Sequence, residues 1–400
     1  MNPPGRWPWH PPPHEGEALT SWLHRIAAGF ALTPRQLLNE PGGPAVTVDE
    51  MAGLDVQAPA AVIALLAGRT GVSPDDVRSL TLAGWVPWLL DSVTPDPTGR
   101  GFVDYVDSVS VLLRPGRQAS RCLPGWRAWL SEQPLRRACR DCSARSLSPA
   151  ATLVTQIPLT LSCMQHRCWL EEYLGVLGGE VFWPDRADGT KPVSDAVAVQ
   201  DARTWQALTT GAVDLPERRV HAGVWFRLLR RLLDEVNTPP SQCGAQIAAS
   251  RQAWESAGLP FRAGQYRWHP YESLTWTIQQ QMLQATAAAV ALIEAGEIPA
   301  RGHHGSLFHP LPGPPVFAGD RPKPPARDCA YYFLLATRDA EDAIQAARRD
   351  RAAARQMFHL CTYSTTDEAR IDRVRGLFVE LGISLDDASH NSGHTTLCTP

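Results

Sequence analysis

The spacing of four residues near the middle of the chain constrains its fold more than any other feature. Cys139 and Cys142 form a Cys-x-x-Cys pair, and after twenty further residues Cys163 and His166 form a Cys-x-x-His pair. Zinc prefers four sulfur or nitrogen ligands in a tetrahedron, and two short-spaced pairs at about this separation are typical of a two-knuckle zinc site. Three thiolates and one imidazole leave no open position. The pattern therefore predicts one structural zinc ion held by these four residues.

A disulfide and a redox-active thiol pair are the other interpretations of these cysteines. The chain has nine cysteines, and its opening residues lack the apolar run of a signal peptide. No stretch reaches about 18 uninterrupted apolar residues, so we expect a cytoplasmic protein without membrane spans. Thiols stay reduced in that compartment, which favours a metal site. Cys168 lies two residues past His166, and its spacing favours a buried apolar cysteine over a ligand.

Apolar periodicity predicts a mainly α-helical fold. Residues 17–91 contain two copies of a helix, a turn and a second helix, and each second helix begins with a capping residue followed by proline. The copies align at an offset of forty residues, which pairs Ala27 with Ala67, Ala31 with Gly71, Thr33 with Ser73, Pro34 with Pro74 and Leu37 with Val77. Such hairpins resemble helix-turn-helix units, which read DNA, dock on proteins or only pack internally.

The remaining chain contains further helical segments and a linker. Apolar stripes in residues 221–237, 245–258 and 273–298 predict three helices. Residues 303–327 are rich in proline and glycine, as linkers are. We predict an N-terminal helical domain with helix-turn-helix-like repeats (residues 1–100), a small zinc-ribbon module (101–180), a helical domain (181–302), the linker (303–327) and a small C-terminal domain (328–400).

An arginine-rich stretch with two interleaved tryptophans extends from residue 114 to residue 145. This composition suits a surface that contacts phosphate, and it also suits a solvated helical face above two core tryptophans. The net charge of −3 excludes a basic protein that coats nucleic acid, but it permits a local patch. Arg114, Arg117 and Arg121 are candidate contacts with nucleic acid or a protein partner.

Motifs of the common nucleotide-binding and hydrolytic enzymes are missing from the sequence. The two lysines, Lys191 and Lys323, are each followed by proline, so no phosphate-binding loop is present. Neither His-Glu-x-x-His nor Gly-x-Ser-x-Gly occurs. We therefore expect no catalytic residues and no enzyme activity.

Two segments resemble the TniQ family of transposition proteins. The stretch PPPHEGEALTSWLHRIA matches the opening signature of that family at Pro13, Glu17, Leu19, Ser21, Trp22 and Arg25. The paired cysteines and histidine, followed by Leu170, match its second motif. The likeness covers about residues 8–175. The chain has Arg140 where the family often has proline, Arg167 where glycine is common, and no tryptophan near Thr155.

The resemblance implies a role in choosing the insertion site of a transposon. Family members are adaptors that recognise target DNA or an RNA-guided effector complex and recruit the AAA+ ATPase that directs the transposase. Both kinds of target stay open here. Trp22 is expected to pack in the core, and Arg25 to pair locally or to contact the ATPase. The alternative function is a sequence-specific DNA-binding regulator that uses the same zinc and helix-turn-helix elements without a transposase partner.

Overall fold

The computed structural model of the chain is mainly α-helical, as the sequence predicts, with only short antiparallel strand pairs among the described residues. The structure describes residues 5–39, 41, 43–114, 121–131, 134–145, 149–175, 181–184, 189–265, 269–308, 329–362 and 367–385. No helix in these ranges is both long and apolar enough to span a bilayer.

Two compact units make up the chain. The first consists of residues 1–106 and 122–227, and the second of residues 107–121 and 228–400. The N-terminal hairpins and the cysteine segment thus belong to the same unit. The four domain boundaries drawn from the sequence stay a prediction.

The first unit consists of short helices and three two-stranded sheets. Its helices are α1 (Leu19–Ala28), α2 (Pro34–Leu38), α3 (Val48–Gly53), α4 (Ala60–Thr70), α5 (Pro74–Ser79), α6 (Arg100–Phe102), α7 (Arg140–Arg145), α8 (Leu153–Gln156) and α9 (Asp195–Thr210). The antiparallel pairs are β1 (Arg137–Ala138) with β2 (Glu171–Glu172), β3 (Leu174–Gly175) with β4 (Val181–Phe182), and β5 (Ala212–Leu215) with β6 (Arg218–His221). Helix α10 (Ala222–Val236) spans the boundary between the units.

The hairpins α1–α2 and α4–α5 lie where the sequence alignment places its two copies. The Thr33 and Ser73 hydroxyls cap α2 and α5, and they accept hydrogen bonds from the backbone N–H three residues on at 3.2 and 3.1 Å. Ala31 and Gly71, which the alignment pairs, both have a left-handed backbone, with φ of 54° and 76°. A left-handed residue therefore precedes the second helix of each copy, although it directly follows α4 and lies three residues after the end of α1.

One apolar core lies beneath both hairpins. Its buried members include Trp22, Leu23 and Ile26 of α1, Leu37 of α2, Val62 and Leu66 of α4, and Val77 of α5. Trp22 is fully buried, which confirms its expected role in packing. Each large side chain removed from water in this way contributes roughly 1.5–3 kcal/mol, so the hairpins are stabilised mainly by apolar burial.

The second unit is also helical. Its helices are α11 (Pro240–Cys243), α12 (Ile247–Ser256), α13 (Trp276–Glu294), α14 (Cys329–Arg349), α15 (Arg351–Thr362) and α16 (Glu368–Glu380). The three helices predicted from apolar stripes correspond to α10, α12 and α13. Buried ion pairs join Arg230 to Glu272 and Arg231 to both Asp107 and Glu235. Residues 309–327, most of the predicted linker, lie outside the described residues.

Candidate metal centre

The first pair of candidate ligands lies where a short strand gives way to a helix. Strand β1 ends at Ala138, Cys139 follows it, and α7 begins at Arg140. The backbone N–H of Ser143 donates to the Cys139 carbonyl at 3.0 Å, which closes a turn around Cys142. This turn brings the Cys139 and Cys142 sulfurs into one cluster.

The second pair lies on a tight turn from Cys163 to His166. The Arg167 N–H donates to the Cys163 carbonyl at 2.9 Å, and the Cys163 N–H donates to the Cys168 carbonyl at 2.8 Å. Arg167 has a left-handed backbone, with φ of 48°, and its side chain pairs with Asp195 at 2.8 Å. A left-handed residue at this position explains why glycine is common there in the family that the sequence resembles.

The four predicted ligands converge with the geometry that a tetrahedral ion needs. The three sulfurs and a ring nitrogen of His166 all lie within 4.8 Å of one another. The His166 Nδ1 atom lies 3.4 Å from the Cys139 sulfur, 3.3 Å from that of Cys142 and 3.7 Å from that of Cys163. The Cys142 and Cys163 sulfurs are 3.6 Å apart. Usual zinc bond lengths in a tetrahedron require about 3.5 Å between sulfur and nitrogen and about 3.8 Å between two sulfurs.

Two of the thiols hold their protons firmly. Burial is the main reason that the pKa of Cys142 is raised to about 11, with the neighbouring Cys163 sulfur adding to the effect. The Cys139 side chain, together with burial, raises the pKa of Cys163 to about 12. Metal ligands must lose these protons, so a cation held by this cluster would bind less tightly as the pH falls.

The long segment between the two pairs is held by a buried arginine. Arg137 is 1% exposed, and its guanidinium donates to the carbonyl oxygens of Thr155, Ile157 and Thr160 at 3.1, 2.7 and 2.7 Å. One side chain thus satisfies three backbone acceptors, one in α8 and two in the residues that follow it. Buried backbone groups without partners are costly, so Arg137 fixes the path of this segment.

A buried aspartate accepts hydrogen bonds from backbone donors of the same segment. Asp201 of α9 is fully buried, and its Oδ2 atom accepts from the Leu161 N–H, the Ser162 N–H and the Ser162 hydroxyl at 3.0, 2.7 and 2.6 Å. Burial raises the pKa of Asp201 to about 6, although these hydrogen bonds oppose the rise. Asp201 therefore holds the residues that lead directly into Cys163.

The opening signature forms the other side of this scaffold. The Glu17 carboxylate is completely buried and accepts from the Ser21 hydroxyl at 3.0 Å and from Arg25 Nε and Nη2 at 2.8 Å each. Arg25 also donates to the Pro12 carbonyl, and the Trp22 indole donates to that of Pro11, both at 2.8 Å. The signature residues thus tie the proline lead to α1.

The same residues connect α1 to the segment between the ligand pairs. Glu17 forms a β-bridge with Thr152, and the Ala151 N–H donates to the Ser21 hydroxyl at 3.0 Å. A second link is Asp55, which accepts from the Thr20 N–H at 2.7 Å and from the Gln156 amide at 2.9 Å. The two motifs, more than a hundred residues apart in sequence, therefore belong to one hydrogen-bonded body. Asp55, Arg137 and Asp201 were not among the predicted site residues.

The candidate contact arginines have different surroundings. Arg25 is engaged by Glu17, and its side chain is only 7% exposed. Arg114 is exposed. Arg121 forms an ion pair with Asp234. Arg117 lies outside the described residues. Of these four, Arg114 is the described residue with the most accessible side chain.

The chain was compared with known families, curated proteins and solved structures. The model of the TniQ family matches residues 8–170. This range includes both the opening signature and all four candidate ligands. No curated protein and no solved structure matched in the same comparisons. Residues 8–170 of the chain are thus similar to the TniQ family.

Proposed function

We propose that the chain is an adaptor in DNA transposition that marks the target site and recruits an AAA+ ATPase to it. The TniQ family implies a target-selection role associated with transposition, and the observation that supports it most strongly in this chain is the single body formed by the two family motifs. A rigid body of this kind suits an adaptor that contacts other proteins. Target DNA, presented as a fixed site or through an RNA-guided effector complex, is the second partner. The proposed place of action is the cytoplasm.

The test is retention of the ATPase encoded beside this chain, with and without target DNA, on the immobilised full-length protein. We expect the ATPase to be retained only when the chain is immobilised, and more of it to be retained when DNA is present. Replacing Arg114 and Arg117 by alanine should weaken the DNA-dependent part and reduce its salt sensitivity, because each lost phosphate contact lowers the salt slope by about one. The charge-matched control replaces Arg370 and Arg373, two exposed arginines of α16. Failure to retain the ATPase under any condition would refute the proposal.

Arg121 is left unchanged in this design for a structural reason. Its guanidinium pairs with Asp234, and its backbone N–H donates to Asp107 at 3.3 Å. Its loss would disturb the second unit and confuse a contact defect with a folding defect. Arg121 as a direct contact therefore stays a hypothesis.

The alternative, a regulator that reads DNA by itself, has less physical support. The second helices of the two hairpins contain only five and six residues. Helix α5 also begins with the exposed carboxylates of Asp75 and Asp76, at the end where a recognition helix approaches DNA. Negative charge there opposes phosphate contact. Tight binding of one DNA sequence by the purified chain alone would reverse this conclusion.

We also propose that the metal is zinc and that its role is structural. Four protein ligands of this type fill a tetrahedral zinc shell, so no position remains for a reacting water. Elemental analysis of protein purified under reducing conditions should give one zinc per chain. Replacing Cys139 and Cys163 by serine should abolish it, whereas replacing Cys122 and Cys243 should not. Zinc-free wild type, or zinc retained by the first variant, would contradict the assignment.

An adaptor without a catalytic site should show no turnover. We expect the purified chain neither to hydrolyse ATP nor to cut DNA, because it lacks a phosphate-binding loop and its metal site is closed. Turnover that disappears when an aspartate or glutamate of this chain is replaced would refute this expectation.

A further inference from the structure

A fourth sulfur atom lies beside the candidate metal ligands. The Cys168 sulfur is 3.5 Å from the Cys139 sulfur, and Cys168 is only 2% exposed, as the sequence analysis expected of it. Its position is fixed by the backbone, since its carbonyl accepts from the Cys163 N–H and the residue forms a bridge with Pro192. The contact is therefore built into the fold of the second ligand turn.

Cys168 does not complete the ligand set. The four-atom group contains Cys139, Cys142, Cys163 and His166, whereas Cys168 groups only with Cys139 and Asp141. A tetrahedral zinc ion is saturated by the first four. The Cys168 sulfur thus lies outside the ligand shell, on the side of Cys139.

The direction of the contact follows from the chemistry of the proposed zinc site. A ligand cysteine is a thiolate, which has no proton and can only accept a hydrogen bond. At 3.5 Å, the proton between these two sulfurs must then come from Cys168. The carboxylate of Asp141, the other acceptor near this thiol, already accepts from the Thr190 hydroxyl at 3.2 Å.

We propose that the Cys168 thiol donates a hydrogen bond to the zinc-bound thiolate of Cys139 and thereby keeps the metal in its site. This inference rests on the zinc site proposed above. A hydrogen bond to a ligand spreads its negative charge, orients it and makes it a poorer target for competing protons. Outer groups of this kind are typically worth 10–100-fold in metal affinity, and a thiol is a weak donor, so we expect an effect near tenfold. Cys168 is a positioning residue rather than a ligand.

The test measures the rate at which the zinc-loaded full chain loses zinc to an excess of a chelating dye. Cys168→Ala should lose zinc about ten times faster than the wild type. Cys168→Ser, which has a similar volume change but keeps a donor, should lie close to the wild type. The control is Cys243→Ala, another buried thiol, whose sulfur donates to the Thr238 carbonyl at 3.3 Å. It should leave the rate unchanged.

A spectroscopic readout separates the hydrogen bond from simple packing. With cobalt in place of zinc, loss of the donor should move the sulfur-to-metal charge-transfer band of Cys168→Ala to lower energy, because the Cys139 thiolate becomes a stronger electron donor. Cys168→Ser should restore the band. The band remains measurable even if the alanine variant is less stable, since cobalt binding itself reports a folded site.

The outcomes are distinct. Equal loss rates in wild type and both Cys168 variants would overturn the inference and leave the zinc site intact. Equally fast loss in the alanine and serine variants, with an unshifted band, would assign the effect to packing and overturn it as well. A wild-type chain that binds no zinc would overturn the proposed metal site together with this inference.

Discussion

The helical hairpins and the metal module of the first unit, here residues 137–175, are stabilised by different means. The hairpins share an apolar core that includes a fully buried tryptophan. The metal module has strands of two residues and two small apolar clusters: one contains Ala138, Ala151 and Tyr173, and the other contains Leu170 with the cysteines. It also buries Leu153, Leu159 and Leu161, which lie between the two ligand pairs. Segments of about 40 residues seldom bury enough surface to fold by apolar packing alone.

The difference shows what holds such a segment in place. Besides these apolar groups, the segment has the candidate ligand cluster and buried charged groups that satisfy its backbone, Arg137 from within and Asp201 from α9. The hairpins contribute through Glu17, which lies between the two regions. Removing a buried polar group should therefore destabilise the metal module more than it would destabilise the helical hairpins.

The largest expected effect is at Glu17. Glu17→Gln leaves the buried Arg25 guanidinium without its counter-charge, which should lower the free energy of unfolding by about 3–5 kcal/mol. The control, Asp75→Asn, breaks the exposed pair with Arg78 and should cost less than about 1 kcal/mol. Urea denaturation measures both. Equal costs for the two variants would show that the buried pair does not stabilise the opening signature.

A smaller, pH-dependent effect is expected at Asp201. Its folded pKa of about 6 lies above its usual value of 3.8, so the folded chain binds the proton more tightly than the unfolded chain. The contribution of this tighter proton binding to the free energy of unfolding is complete below about pH 4. It is lost as the pH rises through about 6. The unfolding free energy of the wild type minus that of Asp201→Asn should therefore fall by about 1.4 kcal/mol between pH 5 and pH 7.5.

The control for this titration is Asp214→Asn, because the Asp214 carboxylate is largely exposed. Its difference from the wild type should stay nearly constant across the same range. Urea denaturation at several pH values provides the data. A flat difference at Asp201, or a difference that grows with pH, would contradict the pKa direction.

The smallest effect compares the two hairpin turns. Ala31 has the left-handed backbone that Gly71 adopts without strain, so Ala31→Gly should raise the unfolding free energy by about 0.5 kcal/mol. Gly71→Ala should lower it by about 1 kcal/mol or more. Thermal denaturation can detect both. Loss of stability in both variants would mean that the two turns are not equivalent.

The sequence predicts local features well and long-range ones poorly. The four ligands and the paired helix starts at Thr33 and Ser73 follow from spacing within a few residues. The bond from Ala151 to Ser21 joins residues 130 apart, and that from Gln156 to Asp55 joins residues 101 apart. No spacing rule relates such positions.

The sequence also does not show which polar groups are buried, because their partners are distant in the chain. Arg137 was counted with a surface-like arginine stretch, yet it is buried against three carbonyls. Arg140 of the same stretch pairs with Glu171 and lies over the Trp183 ring. Their composition suggested phosphate contact, and only the fold shows which guanidiniums are already engaged. The length of α5, six residues, also depends on its surroundings rather than on its start signal.

The most direct test of this account is amide hydrogen exchange in the full chain before and after removal of the metal by a chelator under reducing conditions. The account predicts that residues 137–175 lose protection, together with the start of α1 around Glu17, while α12 and α13 of the second unit keep theirs. Restoring zinc should restore the protection. Unchanged protection across residues 137–175 in metal-free protein would contradict the claim that the ligand cluster holds the metal module and the opening signature together.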